Sequence, residues 1–204
     1  ADHLVCYFCT LTVFFATIEL IFKEIGGRQK MYKVVKKETI KADRFTVIQE
    51  KVAKDGQIVP YSYVTIGFGI SIIPFVDDDH VLLLKEYRHP VGSWQYEFPS
   101  GGIDEGEEPS QAARRELMEE TGYEASELTE LGFTYPSFGS TNEKITLFAC
   151  RATKMAQPKR EILEEIKMEI VSVDQLEDLI VKGEFAHGAG QAAWLKWRLL
   201  NERR

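Results

Sequence analysis

The sequence predicts an α/β fold: a β-rich N-terminal part followed by a mixed α/β part, with no abrupt boundary between them. Three observations carry this. Alternating runs around an Asp-Gly turn dominate the segment after Met31, one well-punctuated helix sits mid-chain, and strand-like and helical runs interleave after it. A chain of 204 residues that is 44% apolar suits one globular domain, or one domain with a small appendage.

The first thirty residues stand apart. Leu4 to Ile18 is an uncharged run of fifteen, shorter than the roughly 20 apolar residues a bilayer-spanning helix needs. It has no basic segment in front and no small-residue cleavage signature. The expectation is therefore no membrane partner, with residues 1–30 a non-native or upstream-derived extension and Met31 the natural start. Cys6 and Cys9 have CxxC spacing, but a structural zinc site needs four ligands and the remaining cysteine, Cys150, is far along the chain. Three reduced cysteines fit a reducing compartment, and the expected location is cytoplasmic.

The chain carries 32 acidic and 25 basic residues, a formal charge of −7. A protein that grips phosphate backbones normally has a basic excess, so nucleic acid is not an expected partner. Residues 1–30 hold three acids and three bases, so the whole excess belongs to residues 31–204.

From Met31 the elements follow in order. Lys33–Lys37 and Phe45–Val52 alternate as strands, and Asp55-Gly56 centres a hairpin turn to a partner strand, Ile58–Thr65. GFGISIIPFV and VLLLKEY, joined at Asp77–Asp79, read as a second hairpin entering a buried sheet. Strand-like runs recur near Leu131–Tyr135, Lys144–Ala152 and Glu169–Val173, and helices are predicted over Asp174–Lys182, stopped by Gly183, and Gln191–Asn201.

The chemistry concentrates in Gly101 to Tyr123. Pro109 suits a first helical position, Ala112, Ala113 and Leu117 an apolar face, and Gly122 a left-handed stop. On this helix Glu116, Glu119 and Glu120 stand at i, i+3, i+4, so their carboxylates share a face and repel by about a few tenths of a kcal/mol per pair. A cation would offset that repulsion, and hard oxygen ligands suit Mg²⁺ or Mn²⁺. The residues alone also admit a solvated acidic face.

The pattern Gly-x5-Glu-x7-Arg-Glu-U-x-Glu-Glu-x-Gly-U, with U apolar, resembles the Nudix box. The matching residues are Gly101, Glu107, Arg115, Glu116, Leu117, Glu119, Glu120, Gly122 and Tyr123, the last aromatic where an aliphatic residue is usual. The resemblance implies an α/β/α sandwich with a mixed sheet, preceded by a small N-terminal antiparallel β region. It also implies hydrolysis of a nucleoside diphosphate linked to another group, with Mg²⁺ as cofactor and Mn²⁺ as substitute. Glu116 and Glu120 correspond to metal ligands, Glu119 to a ligand or base, and the Ser100 carbonyl to a further ligand. Arg115 would orient a glutamate and Glu107 would fix the loop.

Beyond the box, KEYRHPVGSWQYEFPSGGID resembles the corresponding segment of ADP-ribose pyrophosphatases, which implies substrate contacts for Arg88 and Glu97. Arginine suits a phosphate clamp because its fork donates two bonds to one group, and a surface ion pair is the plainer alternative. YPSFGSTNEK resembles a stretch that closes over substrate, with Glu143 as its glutamate. The subgroup's marker proline is replaced by Phe138, a departure that bears on ADP-ribose more than on nucleoside diphosphate sugars in general. A later catalytic glutamate has three candidates, Glu161, Glu164 and Glu165, with Glu164 favoured because alternation then leads cleanly into the Glu169–Val173 strand.

The resemblance further implies a homodimer in which residues 31–65 form an exchanged N-terminal region and residues 66–204 the Nudix domain. ADP-ribose cleaved to AMP and ribose 5-phosphate is the expected reaction. GDP-mannose, FAD or a nucleoside triphosphate are the alternative substrates, and a module sensing ADP-ribose without turnover is the alternative class.

Overall fold

Asp55 and Gly56 both take positive φ, 50° and 76°, as a two-residue hairpin turn matched to right-handed strand twist requires. They join β2 (Phe45–Lys54) to β3 (Gln57–Thr65), and β1 (Lys33–Ala42) completes a three-stranded antiparallel sheet in the order β1-β2-β3. The computed structural model describes residues 32–159 and 165–202; the expected extension and its CxxC pair lie outside them. β1 runs beyond the predicted Lys37 because nearly all of it is exposed, so apolar alternation does not mark its end. The described chain forms two compact units, one of the residues through Glu38 with Gln49–Tyr61, the other of Thr39–Ile48 with Ser62 onward.

The larger unit is built on a seven-stranded sheet. Its strands are β4 (Gly69–Phe75), β5 (His80–Arg88), β6 (Ser93–Glu97), β7 (Ser100–Gly102), β8 (Tyr123–Thr134), β9 (Ile145–Lys154) and β10 (Ile166–Ser172). The order is β10-β5-β4-β9-β8, with β6 on β5 and β7 on β4. β4 and β9 pair in parallel and the other pairs are antiparallel, so the sheet is mixed as expected.

The predicted second hairpin differs in one respect. β4 and β5 pair only at Phe75 and Val81. Beyond that point β6 takes the edge of β5 from Leu84 to Arg88, and β7 takes the edge of β4 from Gly69 to Ser71. The segment from Ser93 to Gly102 therefore enters the sheet between its two central strands.

Period-two alternation divides the core between two faces. Ile73, Phe75, Val81, Leu83, Leu147 and Ala149 pack with Leu176, Ala189, Ala193 and Trp194 on one face, under α2 (Val173–Val181) and α3 (Gly188–Glu202). Ile70, Ile72, Phe148 and Cys150 pack on the other with Ala112, Ala113 and Leu117 of α1 (Pro109–Thr121). The result is the predicted α/β/α sandwich. Leu82 and Leu84 are as buried as Val81 and Leu83, as befits a strand covered on both faces.

α1 has the predicted punctuation. Pro109 opens it, Gln111 Oε1 accepts from the Glu108 N–H at 3.1 Å, and Gly122 closes it at φ 73°. A Cβ on Gly122 would also overlap the Ala156 carbonyl oxygen, so glycine is required twice over. Among the described residues no helix is long and apolar enough to cross a membrane.

Candidate active site

The spacing of Glu116, Glu119 and Glu120 does not make them equivalent. α1 packs its apolar face on the sheet, and Glu120 goes in with it, only 4% exposed. Glu119 lies toward the rim, its side chain 47% exposed. A buried carboxylate needs donors, and the Ser100 backbone N–H donates to Glu120 Oε2 at 3.2 Å. Ser100 is held by its pairing with Ser71. The inserted β7 thus brings the Ser100 backbone to the helix.

Arg115 binds the rest together. Its Nε–H and Nη2–H donate to the two oxygens of Glu107, at 2.9 and 2.8 Å, and Nη2 also reaches the Gly102 carbonyl at 2.9 Å. Nη1 lies 2.8 Å from Glu116 Oε1 and 3.1 Å from Glu119 Oε2. The fork shape of guanidinium lets one side chain serve three carboxylates at once. Arg115 and the Asp104 N–H hold the Glu107 carboxyl below its usual range. Arg115 is therefore a cation that offsets the glutamate repulsion, supplied by the same helix. A Cβ on Gly101 would overlap the Glu116 carboxyl, which ties the glycine of this loop to the placement of that glutamate.

Among the described residues no three acidic, histidine or cysteine side chains already converge as a ligand set. The groups α1 offers here, Glu116 and Glu119 held by Arg115 and Glu120 held by the Ser100 N–H, are hard oxygen donors. They fit a divalent cation of the Mg²⁺ or Mn²⁺ kind and suit neither copper nor a thiolate-bound metal.

A second cluster lies on the same face of the sheet. Val81 and Leu83 face α2 and α3, so Leu84, Glu86 and Arg88 face the side of α1, and the pairing of Leu84 with Glu97 puts Glu97 there too. Arg88 donates to Glu97 Oε2 from Nε at 3.2 Å and from Nη2 at 2.8 Å, while its Nη1 lies 3.1 Å from Glu86 Oε1. Glu86 and Glu97 are buried, whereas the Arg88 side chain is 40% exposed. Burial, the adjoining Glu97 carboxyl and its charge push Glu86 up to about 8, against the pull of Arg88. Behind Phe98, His187 Nδ1 accepts from the Phe98 N–H at 3.4 Å, and burial together with the Arg88 charge pushes this imidazole down to about 4. It is neutral at physiological pH.

The NUDIX domain family model matches residues 66–195. This chain belongs to the NUDIX family. It is 33% identical over 111 residues to an ADP-ribose pyrophosphatase of Bacillus subtilis (strain 168), covering 54% of this chain and 60% of that protein. An ADP-ribose pyrophosphatase of Haemophilus influenzae is 29% identical over 194 residues, 87% of this chain and 86% of its own. The match to an ADP-sugar pyrophosphatase of Mus musculus is 48% identical but short, at 26% of this chain and 27% of that one. The crystal structure of an ADP compounds hydrolase superposes with a TM-score of 0.76 at 24% identity, covering 85% of this chain and 95% of that chain. That likeness concerns the fold.

Within the NUDIX domain, Ser100, Gly101, Glu107, Arg115, Glu116, Glu119 and Glu120 come together in one cluster. Arg88 and Glu97 form the second, and the Glu120 charge is felt at Arg88. Glu143 follows a loop whose Ser140 carbonyl accepts the Val64 N–H at 2.9 Å, and burial raises its carboxyl. Neither cluster includes it. Phe138, at the marker position, is 83% exposed. Glu161 and Glu164 lie outside the described residues; Glu165 is exposed, and its carbonyl accepts the Tyr87 N–H at 3.3 Å. Sequence reasoning passed over Glu86 and His187. For Glu86 the signal was its i, i+2 spacing from Arg88 on one strand, which puts both on one face.

Proposed function

We propose that the protein is a divalent-metal-dependent pyrophosphohydrolase of nucleoside diphosphate sugars, and that ADP-ribose is its substrate. The observation that carries the reading is Arg115 holding Glu116 and Glu119 while the Ser100 backbone holds Glu120 on the same helix, with Arg88 on the same face of the sheet. Glu116, Glu120 and the Ser100 carbonyl would hold Mg²⁺, with Glu119 as a further ligand or the base. Bound metal supplies charge neutralisation at the pyrophosphate and lowers the pKa of a coordinated water.

The chain's own residues do the remainder. Arg88 donates to a phosphate oxygen, and Glu97 holds its guanidinium in place for that contact. Glu119, on the open rim of α1, accepts the proton of the attacking water. One P–O bond forms to water oxygen and the bridging P–O bond breaks, giving AMP and ribose 5-phosphate with the released protons passing to solvent. The ADP-ribose and ADP-sugar pyrophosphatase relatives support this substrate class.

A homodimer is part of the proposal. In the N-terminal sheet Ile58 is 62%, Tyr61 49% and Val35 45% exposed, apolar surface of the kind that marks an association site. Sedimentation equilibrium yielding only a monomer mass would remove this part.

The deciding experiment incubates the protein and Mg²⁺ with ADP-ribose in competition with GDP-mannose, FAD and a nucleoside triphosphate, and identifies products by mass. AMP and ribose 5-phosphate are expected, with turnover lost in Glu119→Gln and Glu120→Gln. Preference for another compound would overturn the substrate, and full turnover in both variants would overturn the metal assignment.

A further inference from the structure

Two buried carboxyl groups share one arginine on β5 and β6, and the hydrogen bonds do not close with both ionised. Arg88 supplies Nε–H and Nη2–H to Glu97 Oε2 and Nη1–H to Glu86 Oε1. Glu97 Oε1 is buried with no hydrogen-bond partner among the groups present. An ionised carboxylate only accepts, so two ionised neighbours cannot satisfy each other, and an orphaned buried oxygen is costly. A single proton on Glu86 changes this, because a carboxylic acid donates one O–H.

We propose that Glu86 is a neutral carboxylic acid whose O–H donates to Glu97 Oε1, and that this bond makes Glu86 a positioning residue for Arg88. The pair then carries one negative charge against one positive charge. Arg88 is balanced, and its exposed edge stays available to a phosphate. Removing the proton puts a second negative charge beside the guanidinium, draws it toward the sheet and opposes an incoming anion.

The other groups facing this pair do not supply the missing donor. Gln95 stands opposite Glu86 on β6, and its Nε2 is given to Ser93 Oγ at 2.8 Å. On β10 the partner of Glu86 is Ile166, preceded by the exposed Glu165. Glu120 of α1 adds negative charge at Arg88, and His187 before α3 is neutral. Lys85 and Lys167 belong to the opposite face, where Lys85 Nζ donates to Tyr96 Oη at 3.2 Å and Lys167 lies over the Trp94 ring. The raised Glu86 carboxyl, at about 8, agrees with the geometry.

The functional consequence rests on the hydrolase reading, so the test has an arm that does not. The full chain, labelled at glutamate carboxyl carbon and arginine nitrogen, is titrated by NMR as wild type, Glu86→Gln and Glu86→Ala. The expected result is one carboxyl resonance titrating near 8 that Glu86→Gln abolishes, with the Arg88 Nε signal moving in step in wild type and static in Glu86→Gln. Both carboxyls titrating in the ordinary carboxylate range, or an Arg88 signal indifferent to Glu86, would overturn the proposal.

The second arm measures ADP-ribose hydrolysis. KM should rise about tenfold in Glu86→Ala with kcat less affected, and Glu86→Gln should recover most of it and lose the alkaline rise in KM shown by wild type. Equal KM in all three proteins would overturn the positioning role. Absence of hydrolysis in wild type would defeat the hydrolase reading alone, since the NMR arm still decides both the proton and its effect on Arg88.

Discussion

Ser100 and Glu120 are tied by one hydrogen bond, from the backbone N–H of the strand residue to Oε2 of the helix residue, at 3.2 Å. The bond fastens α1 to the strand inserted at the centre of the sheet. Glu120→Gln keeps an oxygen that can accept from Ser100 while removing the charge. The variant should fold with little change in melting temperature and lose turnover on the order of 10²-fold or more, the scale of deleting one electrostatic contact to the reacting group. Parallel thermal melts and initial rates decide it.

Arg115→Ala removes the cation shared by Glu107, Glu116 and Glu119. The glutamates lose their fixed orientation, so Mg²⁺ affinity should weaken by about 10- to 100-fold, as for other groups that orient metal ligands. Calorimetric titration of Mg²⁺ into both proteins measures it directly. Unaltered affinity would show that Arg115 serves the loop alone.

Gly122→Ala meets two obstacles, the left-handed backbone at φ 73° and the Ala156 carbonyl oxygen. Stability should fall by roughly 1–3 kcal/mol, read as a lower urea midpoint at unchanged slope. A midpoint matching wild type would contradict the close approach.

His187 gives a pH prediction with a definite sign. Its folded-state value is pushed down to about 4 from 6.5 by burial and by Arg88. Between those values the unfolded chain binds more protons than the folded one, so this residue's contribution to stability is present above about pH 6.5 and is lost as pH falls toward about 4. Asparagine retains an acceptor for the Phe98 N–H and does not titrate. Melting temperatures of His187→Asn across that window should therefore decline less steeply than those of wild type, and parallel declines would exclude the residue as a source of acid sensitivity.

What the sequence disclosed, and what it withheld, follows the range of the interactions. α1 was legible from Pro109 to Gly122 because its caps, its apolar face and its three glutamates are all local. The Asp55-Gly56 turn was legible for the same reason. β6 and β7 were not, since SWQYE and SGG are too short for periodicity and exist as strands through partners on β5 and β4. Glu86 was hidden by its chemistry: a glutamate in a strand reads as exposed, and its burial is offset by Arg88, whose Nη1 lies 3.1 Å from Glu86 Oε1. Glu97 and Arg88 were singled out through family resemblance, whereas the bond between them comes from strand register.

The parallel pairing of β4 with β9 sets Gly69 beside Ile145, two residues separated by most of the domain. During synthesis Ile70, Ile72 and Ile73 leave the ribosome long before Leu147 and Ala149 exist to cover that edge. The loop between them includes α1 with its glutamates, so the long-range closure that completes the sheet also completes the surface on which they stand. A nascent chain arrested before β9 would present an uncovered apolar strand, which is a substrate for chaperones and a seed for aggregation.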